Sequence, residues 1–381
     1  MTDDSKDDAV AAGQVGEGGD GPSAAPNLWE DTLDGGKWSA EGSRRYFPCL
    51  PPTFSTSPSS KFSSQLGLAA GGRIVVGKHK TLNTASTEDI QQYLESARVE
   101  IDRELDRLLP TADHFPPSIH QAMRYSVLAG GKRLRPILCL EAGRLMGGDE
   151  RTLVRLGSAL ELIHTYSLIH DDLPALDNDD LRRGKPTSHR AFGESTAILA
   201  GDALLTLAFE VLASPGPPPE PCKLRVIHEL AHAIGTDRGM IGGQVIDLQM
   251  AGQEGDSRML EYLHSAKTGA FIRAAIRSGV LYAQGGEEDL ARLTTYGEKV
   301  GLAFQIVDDL LDVLGTQESL GKTVGKDDQQ HKATYPGIHG IEASQRMAFQ
   351  LVEEACEVLE PYGDRAHTLQ GIAQYLLVRQ N

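Results

Sequence analysis

Residues 153–184 read LVRLGSALELIHTYSLIHDDLPALDNDDLRRG. Over the first eighteen positions apolar residues return every three or four places, through Leu153, Leu156, Leu160 and Ile163, the spacing of a core-facing helix. That helix runs directly into HDDLPALDNDDLRRG, residues 170–184, which packs five aspartates and two arginines into fifteen positions. Two carboxylates near 4 Å apart repel by about 4 kcal/mol at a protein surface. A solvated acidic helix end is one account of this run, and a cation site is the other.

The same periodicity recurs on both sides of it. It is present in TEDIQQYLESARVEIDRELDRLL (87–109), IHQAMRYSVLAG (119–130), STAILAGDALLTLAFEVLA (195–213) and CKLRVIHELAHAIG (222–235). It continues in RMLEYLHSAKTGAFIRAAIRSGVL (258–281), DLARLTTYGEKVGLAFQIVDDLLDVL (289–314) and ASQRMAFQLVEEACEVLEPY (343–362). No long run alternates as a strand does, and most prolines fall between these segments. The prediction is a single all-α domain over residues 84–381. Residues 1–83 are rich in Gly, Ser, Pro and Ala without sustained periodicity, and are predicted to be a disordered low-complexity extension. Its first 36 residues are acidic, which is wrong for a signal or transit peptide; residues 43–83 carry basic residues and no acidic one.

Forty per cent hydrophobic and 24% charged residues over 381 positions describe a soluble globular chain. No stretch is read as a membrane span of ~20 apolar residues, so no stable membrane insertion is expected. The net charge of −16 argues against nonspecific binding to nucleic acid or anionic lipid. An anionic substrate therefore needs a local basic patch or a metal. The four cysteines, Cys49, Cys139, Cys222 and Cys356, have no CxxC spacing, so a reducing, cytoplasmic setting is the expectation.

A second acidic cluster lies in FQIVDDLLDV, residues 304–313. Asp308 and Asp312 are four apart, hence close together on one face of a helix, and apolar residues surround the cluster. In the first cluster Asp171 and Asp172 are adjacent and Asp177 follows; Pro174 breaks the helix between them and lets the chain bring Asp177 back. Two apolar helices each bearing an aspartate triplet point to one shared site. Oxygen ligands without His or Cys favour Mg2+, which keeps waters and takes phosphate oxygens. Basic residues stand where a phosphorylated ligand needs them: Lys132, Arg133 and Arg135 in GGKRLRP, Arg182 and Arg183 after the first cluster, Lys267 in KTGAF, and Lys322, Lys326 and Lys332 after the second.

Read together, GGKRLRP, ELIHTYSLIHDDLPALDNDDLRRGKPTSH, GDALL, GGQVIDL, KTGAF, FQIVDDLLDV and GKTVGKD resemble, in order, the motifs of bacterial-type all-trans polyprenyl diphosphate synthases, most closely the short-chain farnesyl type. The resemblance runs from about residue 84 to the end and implies a helical bundle of the isoprenoid synthase type around a central apolar cavity. It implies that Asp171, Asp172 and Asp177, with Asp308, Asp309 and Asp312, hold Mg2+, three ions per site with Mn2+ as a substitute, on an allylic diphosphate. Arg182, Lys267, Lys322 and Lys332 would neutralise that diphosphate. Lys132, Arg135, His164 and Arg183 would bind the diphosphate of isopentenyl diphosphate. Thr268 and Gln305 would stand beside the allylic carbon, which makes Lys267, Thr268, Gln305 and Lys322 the catalytic candidates. A homodimer is implied as well.

Tyr166 lies five residues before Asp171, about 7.5 Å along a helix axis. A ring at that depth could stop the growing chain near three isoprene units; its other reading is an ordinary core aromatic. Within the family a tyrosine there resembles the farnesyl-forming type, with geranylgeranyl diphosphate as the alternative product. A terpene cyclase or a noncatalytic synthase subunit fits less well: the former lacks GGKRLRP, and the latter loses an acidic motif, whereas both motifs are intact here.

Overall fold

The computed structural model describes residues 87–250, 257–314 and 334–379; the extension predicted over residues 1–83 lies outside them. Among the described residues the chain is helical almost throughout. Helices α1 (Thr87–Leu108), α2 (Pro117–Val127), α3 (Leu134–Leu145) and α4 (Glu150–Asp171) come first. A two-stranded hairpin, β1 (Leu181–Arg182) and β2 (Lys185–Pro186), separates them from α5 (Ser188–Phe192), α6 (Glu194–Ala213), α7 (Glu220–Ile234) and α8 (Met240–Met250). Then follow α9 (Ser257–His264), α10 (Ala270–Tyr282), α11 (Glu287–Leu314), α12 (Tyr335–His339), α13 (Ile341–Val358) and α14 (His367–Val378).

The core is organised around α10. Ten of its residues between Ala270 and Leu281, among them Phe271, Ile272, Ile276 and Val280, are buried, leaving only Arg273 and Arg277 partly exposed there, so it is apolar on nearly every side and must be enclosed. It packs against α3, α7 and α11, and α4 packs on α3 and also touches α10. The approach of α10 to α3 is set by Gly279. A Cβ there would sit 2.1 Å from the Cys139 carbonyl oxygen, so only glycine lets the two backbones come this close. The side chain of Asp149 caps α4 by accepting the Thr152 N–H at 3.0 Å.

Two local features depart from the sequence reading. The segment read as one helix over 258–281 contains a π-helical turn, Ser265–Gly269, between α9 and α10. It is held from both sides by close packing: a Cβ on Gly243 of α8 would lie 2.5 Å from the Lys267 nitrogen, and one on Gly301 of α11 3.1 Å from the Gly269 Cα. A π turn carries more residues per turn than its neighbours and so rotates the side chains that follow it. The second feature is α6, which is long and apolar enough to cross a membrane by length and composition. In the fold its buried face packs on α4, and Ile198 and Leu199 are exposed on its other side.

Candidate active site

The first acidic cluster is built by the end of α4. Its last residue is Asp171, and Asp172 caps it. Pro174 cannot continue the helix. The chain instead doubles back: the Leu176 N–H donates to the Leu173 carbonyl at 2.9 Å, and the Asp177 N–H donates to the Asp171 carbonyl at 2.8 Å. Asp171, Asp172 and Asp177 are thereby gathered at one corner, as the proline in the sequence suggested. Burial raises the Asp171 carboxyl to about 6; the charge of Lys267 pulls it down, and Asp177 pushes it up again. Asp172 is also raised, chiefly by burial, with Arg182 opposing.

The hairpin after this corner turns through Arg183 and Gly184, both with positive φ of 54° and 74°, the geometry of a two-residue type I′ turn. The turn sends its two arginines to different places. Arg182 Nε donates to both Asp172 oxygens, at 3.0 and 3.3 Å, and its Nη2 reaches Asp179 at 3.3 Å. Arg183 lies against the Gly130–Gly131 loop, where a Cβ on Gly131 would be 2.7 Å from the guanidinium.

That loop carries the basic cluster. His164, on α4, is held well below its ordinary value by burial and then by the charges of Arg135, Arg183, Arg133 and Arg182, so its imidazole is neutral. Arg135 lies with its guanidinium 5.3 Å from the Phe271 ring centre, and its buried Nε has no hydrogen-bond partner. Lys132 is exposed at the rim. Arg133, read from the sequence among the basic residues for a phosphorylated ligand, is instead buried and organises the loop. It adopts a left-handed conformation, with φ of 52°, and bonds Asp102 at 2.8 Å, Glu161 at 2.7 Å and the Val127 carbonyl at 2.6 Å.

The π turn faces the acidic corner. Lys267 Nζ donates to Asp247 of α8 at 2.5 Å, and the charges of Asp247, Asp171 and Asp177 keep it protonated. Asp247 is thus the anchor of Lys267. Thr268 follows it on the same turn, half-buried. Gly301 of α11 abuts Gly269, and Gln305 lies one helical turn beyond Gly301, half-buried.

The second cluster occupies the C-terminal part of α11. Asp308 accepts a hydrogen bond from Arg379 at 2.6 Å and is an electrostatic neighbour of both Arg135 and His264. Asp309 is buried and accepts the Tyr335 backbone N–H at 2.9 Å, with His264 3.9 Å away. Of this triplet, then, Asp309 holds α12 in place, which the DDxxD spacing alone did not reveal. Asp312 is buried. Lys322 and Lys332 lie outside the described residues. The residues brought together around the π turn are therefore Asp171, Asp177, Lys267 and Asp247 on one side and His264 with Asp308 on the other.

The donor set suits a hard cation. It is made of carboxylate oxygens, and Asp171 is crowded by Asp172 and Asp177, a repulsion that a divalent ion relieves. Among the described residues no three such side chains form a closed metal shell on their own. An ion that keeps waters and takes ligand oxygens fits that open arrangement.

The family described as "Polyprenyl synthetase" matches residues 116–362. A dimethylallyltranstransferase from Fischerella ambigua is 47% identical over 78% of this chain and 86% of its own length. A geranylgeranyl diphosphate synthase from Cyanophora paradoxa is 45% identical over 76% and 96%. Among solved structures, an FPP/GFPP synthase from Zymomonas mobilis superposes with a TM-score of 0.69 at 38% identity, covering 77% of this chain and all of that one. Fold, motifs and relatives agree: the chain belongs to the polyprenyl synthetase family, as a short-chain prenyl diphosphate synthase acting on isopentenyl and allylic diphosphates.

Proposed function

We propose that the enzyme elongates dimethylallyl and geranyl diphosphate with isopentenyl diphosphate and stops at farnesyl diphosphate. The observation that carries the product length is Tyr166. It is buried on α4 five residues before Asp171, in edge contact with the His170 ring at 5.8 Å, and its hydroxyl has no hydrogen-bond partner. A buried phenol without a partner is costly in a mere core position. A ring one and a half helical turns below the acidic corner suits a floor for a C15 chain.

Asp171, Asp172, Asp177, Asp308 and Asp312 would hold Mg2+, which when bound would supply charge stabilisation for the departing diphosphate. Around it Arg182 and Lys267, with Lys322 and Lys332, neutralise the same group. Lys132, Arg135, Arg183 and the neutral His164 bind the diphosphate of isopentenyl diphosphate. Thr268 and Gln305 offer oxygen dipoles to the allylic cation left when its C–O bond breaks. The isopentenyl double bond then forms the new C–C bond, and a proton leaves to the released diphosphate.

A second reading, geranylgeranyl diphosphate synthase, is favoured by relatives bearing that name in Cyanophora paradoxa and Arabidopsis thaliana. Incubation with Mg2+, dimethylallyl diphosphate and isopentenyl diphosphate, followed by phosphatase and chromatography, separates them. We expect C15 from the wild type and C20 or longer from Tyr166→Ala; C20 from the wild type would overturn the farnesyl reading, and C15 from both would remove Tyr166 from it. We also propose a homodimer through the face of α6 that exposes Ile198 and Leu199. Light scattering is expected to give a dimer mass, and a monomer for Leu199→Asp.

A further inference from the structure

Arg379, immediately beyond α14, belongs to none of the motifs above, yet it contacts the second acidic cluster. Its side chain is 2% exposed, whereas that of Asp308 is 40% exposed. Its guanidinium stacks 4.2 Å from the Phe304 ring centre, and Nη2 donates both to the Phe304 carbonyl at 3.1 Å and to Asp308 Oδ1 at 2.6 Å. Nε and Nη1 are buried without a hydrogen-bond partner. A guanidinium enclosed, stacked and tied to a backbone carbonyl is the fixed half of this pair. The half-exposed carboxylate is the half that can respond to a ligand.

We propose that Arg379 is a positioning residue that acts through Asp308 as its resident counter-ion, so that the second cluster takes a divalent cation together with diphosphate and not ahead of it. This rests on the reading of Asp308 as a cation ligand given above. With Oδ1 engaged by Arg379, Asp308 has Oδ2 as the oxygen outside that bond to offer an ion. The fixed positive charge beside it opposes a bare divalent cation. Diphosphate reverses that balance, because its negative charge compensates both the ion and the guanidinium. Arg135, whose charge also acts on Asp308, works in the same direction.

The test uses the full-length protein and Mn2+ as the probe, with free Mn2+ followed by electron paramagnetic resonance, in the presence and absence of inorganic pyrophosphate. The sites lost in Asp308→Asn define the ion bound by the second cluster. For those sites we expect Arg379→Gln to tighten Mn2+ binding about tenfold without pyrophosphate, and less than threefold with it, as removal of a fixed like charge requires. The double variant should match Asp308→Asn alone. Unchanged or weaker Mn2+ binding in Arg379→Gln, with Asp308→Asn still impaired, would overturn the proposal and leave the ligand reading standing. No change in Asp308→Asn under either condition would remove the ligand reading itself, and the proposal with it. Should Arg379→Gln not fold, Arg379→Lys keeps the charge and is expected to bind Mn2+ as the wild type does; a tenfold shift there would overturn the proposal.

Discussion

The two aspartate clusters share a composition and differ in how their charge is balanced. The first is assembled locally: one proline ends α4, and a few backbone hydrogen bonds fold Asp177 back onto Asp171. Its carboxylates crowd one another, and Asp171 is raised to about 6, by burial first and by its acidic neighbours after that. The second lies along an unbroken helix, and partners far away in sequence engage it. Arg379 bonds Asp308, and the Tyr335 N–H bonds Asp309. Both clusters are already partly satisfied, the first by Arg182 only ten residues along the chain and the second by groups far from it in sequence. Equal numbers of aspartates therefore do not make equal sites.

The largest test of this contrast is activity. Asp171→Ala is expected to lower kcat/KM by about 10³-fold, the scale of losing a principal electrostatic contact in the transition state. Asp309→Asn keeps an acceptor for the Tyr335 N–H and is expected to cost less than about tenfold. Steady-state kinetics with dimethylallyl and isopentenyl diphosphates compares them, and equal losses would break the distinction. Next comes stability in the first cluster. Arg182→Gln leaves Asp172, whose side chain is 4% exposed, without its ion-pair partner. A loss of about 3 kcal/mol in denaturant unfolding is expected.

The smallest expected effect has the opposite sign. A carboxyl raised from 3.8 to about 6 in the fold destabilises it as pH rises through that window, because the unfolded chain ionises first. The charges facing Asp171 are Lys267, Asp177, Arg182 and Asp172. Metal-free Asp171→Asn should therefore match the wild type well below pH 4 and exceed it above pH 6 by at most about 3 kcal/mol, less what solvent screening of this partly exposed group removes. Thermal denaturation at pH 4 and pH 8 measures this, and an advantage confined to the acid end would sink the account.

Most helices could be read from the sequence because one face of each is apolar and the other is not. α3 could not: nine of its residues from Pro136 to Leu145 are buried, so no polar stripe marks its period. The π turn was hidden for a related reason, since its cause is the close approach of Gly243 and Gly301 from other helices. In the candidate site, residue type and spacing singled out Asp171, Asp172, Arg182, Lys267 and Asp308. Spacing could not tell that Asp309 turns to Tyr335, because neighbouring helix positions diverge by about 100°. Nor could it find Arg379, which is 71 residues from Asp308. The long-range partners of a motif belong to the tertiary fold, and no local pattern records them.

The short hairpin also links the acidic corner to the Gly130–Gly131 loop. Its consecutive arginines reach in different directions, Arg182 into the acidic corner and Arg183 onto Gly131. Four residues of strand thus act as a common beam between two anion seats. If Arg182 and Arg183 bind the two diphosphates as proposed, a shift of that beam at one seat would also move the other.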